Sequence, residues 1–280
     1  MIKQVSKYLI LAIFLSSGLQ SEGQRFFAGK MEFGLLFGGS NYHGDLAKEI
    51  IFSETHPMLG AYYQQNFNEW FSLRYQAAYA KISGSDRNFA AYSQRNLSFY
   101  SHILEGGVIG EFNFNPFGLN PNMSSFSPYV FTGFTIFHFN PKTKYNNEVI
   151  MLRDMGTEGQ GMDGKKYYSL IQPAVPLGFG LKWKQSQSLV VGFEVGFRKT
   201  WTDYLDDVQG EYTSFARMKS EKGDLPAMLS HRYMENKDAN IAVPDKFMRG
   251  DPHLKDWFFF MNFRIGFKFG KVPCANDKSF

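Results

Sequence analysis

Residues 257–269, WFFFMNFRIGFKF, have the two-residue side-chain period of a β-strand. One face carries only aromatic and aliphatic side chains, whereas the other face includes Asn262, Arg264 and Lys268. Two faces that differ this much need two different solvents, and thirteen residues at strand rise are enough to cross the core of a bilayer. The stretch therefore predicts a strand that lies between lipid and water.

The same period recurs in seven earlier segments, and the eight together predict an all-β fold, an eight-stranded antiparallel transmembrane barrel. An even number of strands lets a bacterial barrel close with both chain ends on the periplasmic side and no strand edge unpaired. Segment 58–66 alternates less clearly, and segment 129–139 has aromatic residues on both faces, so its inward face stays open. The seven segments are residues 31–40, 58–66, 71–80, 102–114, 129–139, 175–184 and 189–198.

The connections between these segments alternate in length, which tests the barrel independently of the strand pattern. Outer-membrane barrels have long outer loops and short periplasmic turns. The long polar connections are residues 41–57, 81–101, 140–168 and 202–256, and the shorter ones are residues 66–70, 115–128 and 185–188. The first set is therefore predicted to face the cell exterior and the second set the periplasm.

The amino terminus is predicted to be a secretory signal peptide over residues 1–23. Lys3 and Lys7 precede an apolar run that is followed by small and polar residues. The run is well short of the roughly 20 apolar residues that span a bilayer as a helix. We therefore expect residues 24–270 to form the barrel, residues 271–280 to form a periplasmic tail, and the protein to reside in the cell outer membrane among its lipids.

The composition also indicates that the chain crosses a membrane with β-strands and not with helices. Hydrophobic residues make up 44% of the chain, yet the mean hydropathy is −0.30 and no later stretch resembles a transmembrane helix. Aromatic residues reach 18%, as aromatic girdles require. Tryptophans near predicted strand ends favour lipid on the outside of the barrel. These tryptophans are Trp70, Trp183, Trp201 and Trp257.

Charge and cysteine content exclude two further classes. The net charge of +4 comes without a basic run interleaved with aromatics, so no nucleic-acid partner is predicted. Cys274 is the single cysteine, which excludes an internal disulfide framework. An unpaired thiol in an oxidising compartment leaves open an intermolecular disulfide with a partner.

The faces opposite the apolar ones collect charges of both signs, which predicts a filled lumen. Eight strands enclose a space about wide enough for side chains to fill, and opposite charges can pair there. Two interpretations stay open: a structural ion-pair network, or a path for protons or ions. The predicted lumen network is Arg74, Glu105, Glu111, Lys182, Glu194, Arg198 and Arg264, with Glu32 and Lys268 on the same faces.

No motif predicts a cofactor, a metal centre or a nucleotide site. Residues 159–166, GQGMDGKK, match GxGxxG but follow no apolar strand, so we expect a flexible outer loop. The histidines show no HExxH and no helical metal spacing, although His102 or His138 beside a serine would suffice for a rim hydrolase that trims lipid A. The acidic group at residues 203–211 lacks the EF-hand order and is predicted to stabilise a turn rather than hold calcium.

Six short strings follow one another along the chain in a recognisable order and spacing. They are GGSNYHGDL (38–46), RNLSF (95–99), FSPYVF (126–131), FHFNP (137–141), GTEGQG (156–161) and TDYLDDV (202–208). In these strings the chain resembles the PorG-like outer-membrane barrels of the type IX secretion and gliding machinery of Bacteroidota. The resemblance covers nearly the whole mature chain.

This resemblance implies a non-enzymatic component of type IX protein secretion that anchors or organises a periplasmic ring made of a lipoprotein and its partner. The candidate partner-binding residues, on surfaces that would face the ring, are Asn115, Pro116, Phe117, Cys274 and Phe280. Three other classes stay open. They are a small porin-like or ligand-binding barrel, a rim hydrolase, and a soluble barrel of the lipocalin kind, whose Phe-rich face would point inward.

Overall fold

The structure, a computed structural model, describes residues 31–118, 124–235 and 248–269 and consists mainly of one closed antiparallel β-barrel. The predicted signal peptide and the predicted tail, with Cys274 and Phe280, lie outside the described residues. The strands of the barrel wall are β1 (Met31–His43), β2 (His56–Asn66), β3 (Phe71–Ser85), β4 (Ser98–Asn113), β5 (Phe126–His138), β8 (Ile171–Lys184), β9 (Leu189–Thr200) and β10 (Trp257–Phe269). A short hairpin, β6 (Lys142–Tyr145) and β7 (Glu148–Met151), pairs with β4 where Tyr100 lies opposite Lys142.

The eight predicted strands are confirmed, and each wall strand pairs with its neighbours along the chain. The barrel closes where β1 pairs with β10, from Met31 opposite Phe269 to His43 opposite Trp257. Several strands run further than the alternating pattern predicts. The pairing of β3 with β4 continues to Ser85 opposite Ser98. These last residues lie beyond the apolar part of the exterior, where the alternating pattern ends.

The two ends of the barrel differ in the length of their connections. At one end, here called the turn end, lie residues 67–70, 114–118, 124–125 and 185–188, together with the first residue of β1 and the last of β10. At the other end, the loop end, lie residues 44–55, 86–97, 139–170, 201–235 and 248–256. Among its described residues, the loop end has three short α-helices, α1 (Leu152–Met155), α2 (Phe215–Lys222) and α3 (Asp224–Ser230). No helix in the described ranges is long and apolar enough to cross a membrane.

The exterior of the wall is the Phe-rich face of the strands. Side chains at mid-height are largely exposed, among them Leu59 at 63%, Leu177 at 61% and Phe263 at 53%. The alternative of a soluble barrel with its phenylalanines inside is therefore wrong. Trp70 and Trp183 flank this belt at the turn end, and Trp201 and Trp257 flank it at the loop end.

The interior is divided into two layers of different chemistry. The half towards the turn end holds the charged side chains, whereas the half towards the loop end is apolar. The main apolar side chains are Leu36, Met58, Ile103, Phe137, Phe258 and Phe260, each at most 1% exposed. The two layers explain why β5 has aromatics on both faces: Tyr129, Phe131 and Phe137 point inward, while Val130 and Phe134 point outward.

We predict that a methyl group at Gly38 weakens the closure of the barrel. A Cβ at this position would lie 2.1 Å from the carbonyl oxygen of Met261 and 2.5 Å from Cα of Asn262, both on β10. G38A should therefore lower the free energy of unfolding by about 1–3 kcal/mol, as overpacking does. The measurement is denaturant unfolding in detergent micelles.

The matched control is G106A, because a Cβ at Gly106 has its nearest neighbour 4.0 Å away. If both variants unfold at the same denaturant concentration, the closing pair of strands is not as tightly packed as described.

Candidate functional site

Arg264 is the centre of the charged layer inside the barrel. Its guanidinium donates to Glu111 Oε1 at 2.8 Å and to Glu32 Oε1 at 2.9 Å. It also donates to Gln64 Oε1 at 2.7 Å and to the Tyr62 hydroxyl at 3.2 Å. Arg264 is fully buried, so these contacts replace its hydration.

A second guanidinium, that of Arg74 on β3, completes this layer. Arg74 lies 2.8 Å from Glu194 Oε2 and 3.1 Å from Glu111 Oε1. Lys182 Nζ lies 3.2 Å from the other oxygen of Glu111, so this carboxylate pairs with three bases. Tyr129 donates to Glu194 at 2.7 Å.

Arg198 and Glu105 form a separate pair at the boundary with the apolar layer. Arg198 Nε lies 3.2 Å from Glu105 Oε2, and Gln76 donates to the same carboxylate at 3.1 Å. The Arg198 guanidinium also lies over the Phe260 ring, 4.0 Å from its centroid. The structure thus places all seven residues of the predicted lumen network inside the barrel, each at most 2% exposed.

The turn end is closed by Phe117, one of the candidate partner-binding residues. Its side chain is 5% exposed, and the ammonium groups of Lys182 and Lys268 lie over its ring at 5.0 and 4.5 Å. Phe117 is thus buried at the mouth, in cation–π contact with both lysines, and its role in binding a partner stays a prediction. Asn115 and Pro116 are half-buried and remain accessible.

The loop end is covered by a cap in which four connections contact one another. Arg95 binds the Asp86 carboxylate at 2.6 Å and donates to the Arg249 carbonyl at 2.5 Å. Asp45 accepts from the Asp251 backbone amide at 3.0 Å. Asp45 and Arg95 belong to the strings at residues 38–46 and 95–99, and Arg95 donates to the Asp45 carbonyl, so these two strings meet in the cap.

Residues 156–160 are packed in the cap, so the flexible loop predicted for residues 159–166 is wrong for its first two residues, whereas residues 163–166 are exposed. Glu158 Oε1 accepts from the backbone amides of Gln209 and Gly210 at 2.8 and 3.1 Å and from Arg249 at 3.2 Å. Glu158 and Gln160 are at most 1% exposed. The glycines at 156, 159 and 161 have positive φ, which a tightly folded turn requires.

The acidic group at residues 203–211 is held by hydrogen bonds of the cap. The Tyr42 hydroxyl lies 2.8 Å from Asp206 Oδ2 and 2.7 Å from Asp256 Oδ1. Asp207 accepts from the hydroxyls of Thr157 and Tyr168 at 2.5 and 2.7 Å. Within the described ranges, no group of three or more His, Cys, Asp or Glu side chains is arranged to hold a metal ion.

Residues 7–225 match a domain of unknown function, DUF6089. The chain belongs to the DUF6089 family. No curated protein matches its sequence significantly.

Several solved barrels are similar to this DUF6089 chain. Ail of Yersinia pestis, solved with the heparin analogue sucrose octasulfate, is 8% identical with a TM-score of 0.41, over 86% of this chain and 99% of Ail. Neisserial surface protein A is also 8% identical with a TM-score of 0.41, over 86% of this chain and 99% of that protein. OprG from Pseudomonas aeruginosa is 10% identical with a TM-score of 0.40, over 87% of this chain and 98% of OprG.

The histidines singled out from the sequence lie on the outer surface of the DUF6089 barrel. His102 stacks on Tyr79 and shares a hydrogen bond of 2.7 Å with its hydroxyl, and His138 is exposed. Sequence reasoning missed His56, whose Nε2 lies 2.6 Å from Ser83 Oγ. The Ser83 hydroxyl also donates to the Glu54 carboxylate.

We predict that removing Arg264 strongly destabilises the DUF6089 barrel. R264M leaves Glu32 without its ion-pair partner in a water-excluded layer. The expected loss is about 3–5 kcal/mol of unfolding free energy, measured by denaturant unfolding in micelles.

R217M is the matched control, because Arg217 forms ion pairs with Asp163 and Glu221 on the surface of the cap at 45% exposure. Its expected cost is within about 1 kcal/mol. Equal losses in the two variants would contradict a structural role for the buried pair.

The cap is predicted to loosen as the pH rises. Burial raises the pKa of Asp207 to about 6, and burial together with Asp45 raises the pKa of Asp206 well above its ordinary value. Burial and the nearby Asp206 do the same to the pKa of Asp256. The Tyr42 hydroxyl has one proton to share between two carboxyl groups, so one of them must be protonated.

The sign follows from proton linkage. These groups bind protons more tightly in the folded cap than in the unfolded chain, so stability is complete below the ordinary aspartate pKa of 3.8 and is lost as pH rises through and above 6. The Leu205 and Val208 amides donate to Asp256 and Asp206, respectively. Their protection factors in amide hydrogen exchange should fall between pH 5 and pH 8.

A D224N variant serves as the control, since the Asp224 side chain is 75% exposed, and its profile should match that of the native protein. Protection that is constant over this range would show that the cap carboxyl groups do not govern its stability.

Proposed function

We propose that the protein is a non-enzymatic, non-conducting barrel of the cell outer membrane that anchors other proteins. The observation that carries this proposal is the combination of an apolar exterior belt with an interior filled by ion pairs and aromatic rings. Lipid fits the exposed Leu59 and Leu177, whereas a lumen whose arginines are at most 2% exposed offers little room for solute.

An orientation in the membrane follows from the two ends. Outer-membrane barrels place short turns in the periplasm and long loops outside the cell. The turn end would then face the periplasm, and the cap would face the exterior. The tryptophans at both ends would lie at the two lipid headgroup levels.

The finer proposal rests on the resemblance to PorG-like barrels. We infer that the barrel serves type IX protein secretion by anchoring or organising the periplasmic ring of a lipoprotein and its partner. Support comes from the accessible Asn115 and Pro116 at the turn end, where a ring beneath the membrane would make contact. Cys274 is proposed as the site of any covalent link to that ring.

The main alternative, a porin-like or ligand-binding barrel, makes a different prediction in a planar bilayer. The purified protein should show no stepwise conductance, because buried ion pairs fill its lumen. Steady, voltage-dependent single-channel steps would overturn the anchoring proposal in favour of transport.

The partner is tested by gentle detergent pull-down with an affinity tag inserted at exposed residues 163–166 of the cap. Mass spectrometry under reducing and non-reducing conditions should identify the ring lipoprotein and its partner. The control is C274S, which should abolish any reducible adduct while still recovering the ring. Recovery of the barrel alone from membranes that contain the ring would contradict the role in secretion.

A further inference from the structure

Basic side chains face outward where the apolar belt ends near the loop end of the barrel. Leu59, Tyr79 and Leu104 lie side by side on β2, β3 and β4, and each is more than half exposed. The next outward pair towards the loop end is Lys81 on β3 opposite His102 on β4. Positive charge therefore follows directly on the apolar surface of the wall.

Lys142, on β6, adds a second lysine at this place. It lies opposite Tyr100, and residues opposite each other in an antiparallel pair share one face. The centroid of the Tyr100 ring lies 5.1 Å from Lys81 Nζ and 6.0 Å from the centroid of the His102 ring. Lys81, His102 and Lys142 thus gather around one tyrosine, and we call these three residues the basic patch.

The members of the basic patch are close enough to act on one another. The charges of Lys81 and Lys142 both act on the His102 ring. Like charges that face each other across paired strands destabilise a sheet. Nδ1 of His102 shares a hydrogen bond with the Tyr79 hydroxyl, so Nε2 is the ring nitrogen that faces away from Tyr79. An anion beside the patch would offset the repulsion and give Nε2 a partner.

The strands around the patch supply no carboxylate to it. β2, β3, β4 and β5 are described in full, and none of their outward positions has an acidic side chain. The Glu54 carboxylate, beside β3, already accepts from the Ser83 hydroxyl and the Asn88 amide. Glu148, on β7, lies opposite Tyr145, at the other end of its hairpin from Lys142. The patch therefore favours an anion from outside the chain.

We propose that the basic patch binds a lipid of the outer leaflet whose headgroup carries a phosphate monoester. The phosphate has about two negative charges, which pair with Lys81 and Lys142, and it accepts a hydrogen bond from His102. The acyl chains lie on the exposed Leu59 and Leu104. A lipid is favoured over a soluble anion because the patch continues the apolar belt. This inference rests on the proposed membrane location and orientation.

The direct test is native mass spectrometry of the full-length barrel in detergent micelles, titrated with dioleoyl phosphatidate. The native barrel should bind one molecule, and phosphatidylglycerol, whose phosphodiester has a single charge, should bind more weakly. K81Q and K142Q should each weaken phosphatidate binding about tenfold or more, because one charge-assisted hydrogen bond is lost. K81R should keep most of the affinity, since it keeps the charge.

K199Q is the matched control. Lys199 also faces outward near the loop end, with its ammonium 4.2 Å from the centroid of the Trp257 ring. Its cross-strand neighbours are Val175 and Trp257, so neither of them is basic. The affinity of K199Q for phosphatidate should equal that of the native protein.

Three results of this titration would overturn the proposal. The first is equal affinity of native protein and K81Q. The second is a loss of affinity in K199Q as large as in K81Q, because any lysine near the end of the wall would then suffice. The third is displacement of phosphatidate by inorganic phosphate at the same concentration, because the patch would then be a site for soluble anions.

A thermal melt in micelles guards against a folding defect. K81Q removes a charge that faces His102, so without phosphatidate it should melt no lower than the native barrel. Phosphatidate should raise the melting temperature of the native barrel but not that of K81Q. If K81Q melts well below the native barrel without lipid, Lys81 is held by groups of the protein itself and the proposal is wrong.

Membrane fractionation and the pull-down separate this inference from the proposed function. Phosphatidate binding that depends on Lys81, in a protein that stays in the outer-membrane fraction, supports the membrane location and the lipid site. Binding that does not depend on Lys81 in the same fraction overturns the lipid site alone. Release of the barrel from membranes without detergent contradicts the proposed location. Binding that depends on Lys81, without recovery of the ring, supports the lipid site and contradicts the secretion role.

Discussion

The pairing of the first wall strand with the last is the constraint on which the rest of the structure depends. Closure leaves no strand edge unpaired and gives the wall one continuous exterior. It also fixes an interior of limited width, so every inward side chain must find its partner within that space. The ion pair of Arg264 with Glu32 joins the two strands of this closing pair, here called the seam, since the two residues lie on β10 and β1.

The lumen is filled by polar side chains in one half and by apolar side chains in the other. Near the turn end, guanidinium and carboxylate groups pair, and tyrosine hydroxyls complete their hydrogen bonds. Near the loop end, aliphatic and aromatic side chains exclude water, and the cap continues this layer through Leu205 and Val208.

Much of the wall could be predicted from the sequence because lipid on one side imposes a period of two. Strand β10 has the predicted bounds, and the charged residues of the lumen lie on the predicted faces. The orientation of β5 could not be predicted, because inward aromatics serve the apolar layer and stack on cations, as Phe131 does on Arg74. The position of Phe117 and the contacts of the cap depend on residues far apart in sequence, where no local period exists.

The distance along the chain between the two strands of the seam has a consequence for folding. Most wall strands meet a neighbour only one connection away, but Met31 meets Phe269 near the opposite end of the described chain. Contacts of such long sequence separation form slowly, because a long loop must close before they contribute any energy. Until the final strand arrives, β1 presents an open edge and Glu32 lacks Arg264. Assembly must therefore shelter a nearly complete sheet, with its apolar face exposed, until the last thirteen residues of the wall dock.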